Sequence, residues 1–220
     1  MEHYFNENPS TEKEIYKFDW NIGQNRFYFY TSNSVFSKSG MDFGSMLLVE
    51  TVLNENACFS GSVLDLGCGY GPIGIIIASI LNKTNVTMSD VNERSLELCA
   101  MNAKENKVDD RTKIIRSSGF ENINGKYDII VTNPPIRAGK DTVFSFYEGA
   151  YEHLNEGGRL YVVIQKKQGA PSTKAKLEEL FNNCETADKK SGYFIFRAVR
   201  GDGSRWLRRI CLFFNWSRFL

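Results

Sequence analysis

The chain has 220 residues and a mass of 25.1 kDa, and 42% of its residues are hydrophobic, which is enough to bury one sizeable core as a single domain. No apolar stretch approaches the roughly 20 residues that a membrane-spanning helix needs, and residues 1–14 are too acidic and polar for a signal peptide, so we expect a cytoplasmic protein without membrane association. Five cysteines without Cys-x-x-Cys spacing and two histidines do not form the usual metal motifs, and we expect no metal.

The charge is unevenly distributed along the chain. The net charge is +1, but from Arg159 onward 13 Lys and Arg residues stand against 5 acidic ones, whereas residues 1–158 carry 14 against 21. A basic C-terminal third could contact the phosphates of a nucleic acid. Solvated helix faces and a basic tail would explain the same asymmetry equally well.

The first predicted elements are an N-terminal hairpin and a helix. β-forming residues at 14–18 and 26–31 flank a turn at 21–25, and a helical apolar rhythm follows Asp42 as far as Leu53. Strands are then predicted at 62–66, 85–90, 112–116, 127–132 and 159–165, and helices at 73–82, 93–106, 141–154 and 172–182. Parallel strands joined by helices form a doubly wound α/β sheet, and a last strand is expected at 193–199.

A glycine-rich turn follows the first strand of this sheet, in the stretch Val63-Leu64-Asp65-Leu66-Gly67-Cys68-Gly69-Tyr70-Gly71-Pro72-Ile73-Gly74. Alternate glycines allow a tight turn and a close approach of ligand to backbone. The spacing Gly69-x-Gly71-x-x-Gly74, with Asp90 ending the next strand, formally matches a dinucleotide fingerprint, so NAD must be considered. Against NAD, the match begins late and Asp65 places a carboxylate where pyrophosphate would approach. A carboxylate suits a cation such as an amino group, and Asp90 could accept two ribose hydroxyls.

A second motif, Asn133-Pro134-Pro135-Ile136, follows the apolar run at 127–132. Neither proline donates a ladder hydrogen bond, so the strand ends here and Asn133 is held extended. The Asn133 amide oxygen and the Pro134 carbonyl then offer two acceptors at one spot, which suits a planar NH₂ group. An ordinary strand-ending turn is the alternative. Because ligands bind beyond the carboxyl ends of parallel strands, the residues that follow these strands are expected to converge: Asp65, Asp90, Ser118 and Asn133.

Together these motifs resemble the class I S-adenosylmethionine (AdoMet) dependent methyltransferases of the small-domain type. More narrowly, residues 2 to about 199 resemble the single-domain relatives of the ribosomal RNA small subunit guanine-N2 methyltransferase C group, and the resemblance includes residues 136–140 and 165–171. The resemblance implies a Rossmann-like, mostly parallel sheet with an N-terminal β-hairpin and a last antiparallel strand. It implies one methyltransferase domain at 1–199, with the hairpin and helix at 1–55 and the AdoMet-binding core at 56–199. Residues 200–220 do not fit the resemblance and are a basic aromatic tail, which could bind RNA or a membrane surface or have no selected role.

The resemblance also implies where AdoMet binds. The implied cofactor-binding residues are Asp65, Gly67, Cys68, Gly69, Gly71, Asp90, Val91, Asn92, Ser118, Gly119, Phe120 and Asn133. Ser118 stands where the family often has an Asp that accepts the adenine amine. Phe120 could pack on the adenine or fill the sheet edge, and Cys68 is interpreted as a tolerated small residue because no base is near it for a nucleophile. Asn92 could equally cap a helix.

The implied catalytic residues are Asn133, Pro134, Pro135 and Ile136. Asn133 and the Pro134 carbonyl would accept both hydrogens of an exocyclic amine and stabilise the positive charge that grows on its nitrogen. Ile136 replaces the aromatic residue that many amino-methyltransferases carry, so another ring, Phe36 or Tyr147, could assist. Arg137 and Lys140 could contact a phosphate, and the family loop at 36–42 gives Lys38 and Asp42 weak binding roles.

The predicted function is AdoMet-dependent N-methylation of an exocyclic amino group, with guanine N2 in ribosomal RNA as the substrate. By resemblance, the partner is ribosomal RNA or the small ribosomal subunit. Two alternatives stay open at this point: a protein glutamine N5-methyltransferase, which would favour an aromatic residue at Ile136, and a non-catalytic AdoMet- or RNA-binding domain.

Overall fold

The computed structural model describes residues 15–32 and 41–201. Phe36, Lys38 and the tail from residue 202 lie outside this range, so the roles predicted for them stay predictions. The strands are β1 (Ile15–Ile22), β2 (Asn25–Ser32), β3 (Gly61–Leu66), β4 (Thr84–Asp90), β5 (Thr112–Arg116), β6 (Tyr127–Thr132), β7 (Leu154–Gln165), β8 (Glu185–Lys190) and β9 (Tyr193–Val199). The helices are α1 (Phe43–Glu55), α2 (Pro72–Ile80), α3 (Glu93–Glu105), α4 (Lys140–His153) and α5 (Ala170–Phe181).

The main sheet has seven strands in the order β5-β4-β3-β6-β7-β9-β8. The first five are parallel, and β9 pairs antiparallel with both β7 and β8. The predicted doubly wound sheet, its antiparallel last strand and the separate β1–β2 hairpin are therefore confirmed. Sequence patterning missed β8, because an edge strand with five exposed residues of six has no apolar alternation to detect.

Successive residues of the central strands face opposite sides of the sheet and belong to two apolar layers. Val63 and Val131 pack with α1, α2 and α3, whereas Leu64 and Ile130 pack with α4 and α5. Coverage on both faces explains why these strands are continuous apolar runs rather than alternating ones. None of the helices in the described part of the chain is long and apolar enough to cross a membrane.

Asn102 of α3 and Asn106, the C-cap of that helix, attach the hairpin to the rest of the fold. Asn102 accepts from the Tyr30 backbone N–H at 2.6 Å and donates to the Tyr30 carbonyl at 3.0 Å. Asn106, one helical turn later, makes the same pair of bonds with Tyr28, at 3.0 and 2.7 Å. The two amides thus occupy backbone groups of β2 that a further strand would otherwise bind. Asn102 also donates to the Tyr70 carbonyl at 2.9 Å, which links the hairpin to the glycine turn.

Candidate active site at the carboxyl edge of the sheet

A cavity of about 530 Å³ opens where β3, β4, β5 and β6 end. This volume lies within the range of small-molecule binding sites. The predicted residues that line it are Gly67, Cys68, Gly69, Asp90, Val91, Ser118, Gly119, Asn133, Pro134, Pro135 and Ile136. Four predicted residues are not in its wall, namely Asp65, Gly71, Asn92 and Phe120. The strand ends thus bring the glycine turn and the Asn-Pro-Pro motif to one cavity.

Four backbone N–H groups of the glycine turn and that of Gly74, which follows it, are bound within the protein. Gly67 and Cys68 both donate to the Ser89 carbonyl, at 2.8 and 2.9 Å, and Gly71 donates to the Cys68 carbonyl at 3.0 Å. Gly69 donates to Asp90 Oδ2 at 2.9 Å, and Gly74 to Asp65 Oδ2 at 2.8 Å.

A dinucleotide site uses free N–H groups at such a turn to bind pyrophosphate. Here two of those groups bind carboxylates of the protein, and Asp90 brings negative charge to the cavity wall. The arrangement therefore disfavours the NAD interpretation of the glycine spacing. Glycine is required at position 71 for two other reasons. Its φ of 89° is left-handed, and a Cβ there would lie 2.5 Å from Cys99 Sγ.

Asp65 lies beneath the turn. Its side chain is fully buried, Oδ2 accepts from Gly74, and Oδ1 has no hydrogen-bond partner in the described structure. Burial raises the pKa of the Asp65 carboxyl to about 7, against the lowering effect of the Gly74 N–H, and the charge of Asp90 raises it further. In this structure the carboxylate supports the turn from behind, and its predicted contact with the amino group of the cofactor stays a prediction.

Asp90 and Asn92 have different positions at the end of β4. Asp90 lines the cavity and also accepts from the backbone N–H groups of Gly69 and Asn92, so the loops after β3 and β4 are held by one carboxylate. Asn92 is fully buried and caps α3, with Oδ1 accepting from the Ser95 N–H at 3.0 Å. Asn92 thus caps a helix, which was one of the two roles suggested by the sequence. Its contact with the cofactor stays a prediction.

Cys68 lines the cavity but is 5% exposed. Burial raises the pKa of its thiol well above the ordinary value, and the neighbouring Cys99 thiol raises it further. A thiol in that environment stays protonated and is a poor nucleophile. This agrees with the interpretation of Cys68 as a small residue in the turn.

The loop after β5 places Ser118 at the cavity and Phe120 away from it. Ser118 is exposed and lines the wall with Gly119, while Ser117 holds the loop by donating to the Gly119 carbonyl at 2.9 Å. The Phe120 ring stacks on His153 at a centroid distance of 4.5 Å. The ring also lies against Gly149 of α4, where an added Cβ would be only 2.2 Å from it. Phe120 therefore packs on α4 rather than on the cavity.

Two aromatic residues line the described part of the cavity, Tyr70 and Phe146. The sequence had suggested no role for Phe146, which lies on α4. A Cβ at Gly67 would lie 3.5 Å from its ring and one at Gly119 3.7 Å, so the ring packs between two of the site loops. Tyr147, named instead from the sequence, is fully buried and shares a hydrogen bond of 3.3 Å with Thr173. Tyr147 is therefore a core residue, because the helical rotation between successive residues turns it to a different face of α4 from Phe146.

Asn133 is held by the start of α1. Its Nδ2 donates to Ser45 Oγ at 3.0 Å and lies 3.5 Å from both carboxylate oxygens of Asp42. The amide oxygen is therefore the end of the side chain that is turned away from α1. Pro134 is buried and Ile136 begins a short 3₁₀ turn, Ile136–Ala138, at the cavity wall.

Among the described residues, the charged groups in the cavity wall are two carboxylates, Asp42 and Asp90, and the exposed Arg137. Two carboxylates near an apolar wall suit a ligand that carries positive charge. AdoMet carries a sulfonium and an amino group, so its charges and the volume of the cavity fit the residues present. Lys140 is exposed and lies over the Phe144 ring at 5.0 Å, outside the wall.

Comparisons with known proteins bear on the family of the chain. Residues 26–197 match the family described as "Methyltransferase small domain". This chain belongs to that family. The membership confirms the predicted family and, with it, AdoMet as the predicted cofactor.

Individual relatives differ in how much of their length the chain covers. It is 44% identical over 201 residues to the uncharacterized protein YbxB of Bacillus subtilis, covering 90% of this chain and 98% of that one. It is 32% identical to the ribosomal RNA small subunit methyltransferase C of Cronobacter sakazakii over 80% of this chain, and spans only 50% of that relative.

Among solved structures, the T. thermophilus 16S rRNA N2 methyltransferase RsmC in complex with AdoMet and guanosine matches with a TM-score of 0.77 and 25% identity. The match covers 88% of this chain and 52% of that one. A methyltransferase from Pyrococcus furiosus matches with a TM-score of 0.63 and 20% identity, which shows the fold alone.

Proposed function

We propose that this chain is an AdoMet-dependent N-methyltransferase that methylates an exocyclic amino group, with guanine N2 of ribosomal RNA as the substrate. The observation that carries the proposal is Asn133, whose NH₂ end is bound by Ser45 while its oxygen end is turned away from α1, in the same cavity as Pro134. The site therefore has acceptors to offer, which is what an incoming NH₂ group requires.

The chemistry follows from the weak nucleophilicity of an aromatic amine, whose lone pair is delocalised into the ring. When bound, AdoMet supplies the electrophilic methyl group. Asn133 Oδ1 and the Pro134 carbonyl would each accept one N–H of the amine, and these bonds strengthen as its nitrogen becomes positive. The proton can leave afterwards without a dedicated base, because the methylated nitrogen is acidic while it carries that charge.

Which residues would hold AdoMet follows from the cavity wall. Asp90 suits the ribose hydroxyls, and Ser118 suits the adenine amine through its exposed hydroxyl. The glycine turn allows the ligand to approach the backbone between them. Phe146 adds the aromatic surface that Ile136 does not provide.

RNA as the substrate is supported by the names of the relatives and by basic side chains near the cavity. Arg137 lines it, and Lys166 and Lys167 are exposed in the 3₁₀ turn that ends at the lining residue Gln168. Within the described residues these three side chains make no ion pair with a carboxylate, so they are free to meet phosphates. Other basic residues of the C-terminal third are used internally, as Arg197 is by Glu55.

The test is methyl transfer from labelled AdoMet to small ribosomal subunits from cells without this chain, followed by mapping of the modified nucleotide. Asn133→Ala should bind AdoMet as the wild type does while transfer falls by about 10²-fold or more. Asn85→Ala, an exposed asparagine on β4, is the matched control and should leave both unchanged. Label in the protein fraction would favour glutamine methylation, and AdoMet binding without any transfer would favour a non-catalytic domain.

A further inference from the structure

The amide of Asn133 could point either way in the cavity, and only one orientation serves the proposed reaction. With Oδ1 toward the substrate amine it accepts an N–H, whereas with Nδ2 there, two donors would face each other. A terminal amide torsion is broad and roughly two-fold, so rotamer preference alone does not select between them. Some other group must fix the orientation.

The residues that contact this amide lie at the first turn of α1. Ser45 Oγ is 3.0 Å from Nδ2, and the two Asp42 carboxylate oxygens are each 3.5 Å from it. A carboxylate can only accept, so turning the amide over would bring Oδ1 against negative charge. Asp42 therefore opposes the wrong orientation, and Ser45 makes the shorter bond to the right one.

The platform that carries these two residues is fixed in the fold. Asp42 is the N-cap of α1, and its Oδ1 accepts from the Ser45 backbone N–H at 3.1 Å. Ser45 is 5% exposed, and the adjacent Gly44 lies so close to Tyr193 of β9 that a Cβ there would be 2.9 Å from the ring. The start of α1 is thus held against the sheet at a set distance from Asn133.

We infer that Asp42 and Ser45 are positioning residues that orient the Asn133 amide so that its oxygen faces the amino group to be methylated. This inference rests on the proposed function, because it assigns the two residues a role in the same site. They act through Asn133 and hold no reacting atom.

The first experiment separates positioning from folding. Ser45→Ala removes the hydroxyl but keeps the backbone N–H that Asp42 caps, and it should lower kcat about tenfold while the Kd for AdoMet changes by less than about twofold. Asp42→Asn keeps a good N-cap but loses one acceptor toward Nδ2, and should act in the same direction. The matched control is Ser95→Ala, since Ser95 occupies the same position after the N-cap of α3, is equally buried, and bonds nothing in the cavity.

In an Asn133→Ala background, Ser45→Ala should have no further effect on kcat, because the side chain it orients is gone. An equal fall in both backgrounds, or kcat within about twofold of wild type in the first, would overturn the inference.

A second measurement needs no substrate. In protein labelled with ¹⁵N-asparagine, the Asn133 side-chain amide is identified by its loss in Asn133→Ala, and its hydrogens should exchange about tenfold more slowly in wild type than in Ser45→Ala. Unprotected Asn133 amide hydrogens in the wild type would refute the positioning role. Protected hydrogens in a protein that methylates no RNA would instead refute the proposed function and leave the orientation of Asn133 by Ser45 supported.

Discussion

Replacing Asp65 by Asn should change how the stability of the protein depends on pH. The folded protein holds the Asp65 carboxyl at a pKa of about 7, against an ordinary value of 3.8, mainly because the group is fully buried. An acid whose pKa is raised on folding keeps its proton in the folded state after the unfolded chain has released it. The stability that this proton provides is complete below pH 4 and is lost as pH rises toward 7.

The size of the effect follows from the two pKa values. Integrating the linkage relation at 1.36 kcal/mol per pKa unit, the free energy of unfolding of the wild type should fall by about 2.5 kcal/mol between pH 5 and pH 8 relative to Asp65→Asn. Asn can still accept from the Gly74 N–H but cannot ionise, so the variant lacks this dependence.

Urea unfolding of both proteins without AdoMet, at several pH values from 5 to 8, measures the difference directly. A constant offset between them reports only the exchange of OH for NH₂, so the slope against pH is the quantity to read. Asp128→Asn is the control. Burial raises the pKa of Asp128, but hydrogen bonds from Ser62 and Asn155 outweigh it and the net shift is downward, so this variant should show a flat difference across the same window. A flat difference for Asp65→Asn as well would refute the reasoning.

Two further perturbations test the frame of the site. Gly74→Ala would place a Cβ 2.6 Å from Met88 Cγ, so the free energy of unfolding in urea should fall by about 1–3 kcal/mol. AdoMet binding, measured by calorimetry, should also weaken. Unchanged values in both measurements would contradict the close packing at Gly74. Glu55, the last residue of α1, binds Tyr161 of β7 and Arg197 of β9 through its carboxylate, so Glu55→Ala should lower the free energy of unfolding by about 2 kcal/mol. Glu55→Gln should cost less, and an equal cost would mean that the charge of Glu55 does not contribute.

The sequence predicted the fold and the location of the site because both depend on patterns along the chain. Continuous apolar strands separated by helical periods require a covered parallel sheet, and parallel strands place all their carboxyl ends at one edge. Asp90, Ser118 and Asn133 could therefore be placed together from their positions after strands. β8 and the hairpin's attachment through Asn102 and Asn106 gave no such pattern.

What each side chain contacts at that edge was decided by the tertiary structure. Asp65 and Asn92 occupy motif positions, yet one supports the turn from beneath and the other caps α3. Phe146 and Ser45 belong to helices whose sequences show only ordinary apolar faces, and they reach the site because those helices pack beside it.

The sequence by itself thus determined the sheet, because its strands and helices follow from periodicity and chain order, and its motifs indicated the family. The pair of acceptors in Asn133-Pro134 is a prediction from local backbone chemistry. Only the tertiary structure decided that the Gly67, Cys68 and Gly69 N–H groups are bound to Ser89 and Asp90 and the Gly74 N–H to Asp65, and that the Asn133 NH₂ group is bound at the start of α1. The physical reason is that hydrogen-bond direction depends on groups far apart in the chain, which meet only when α1 and the strand ends pack together.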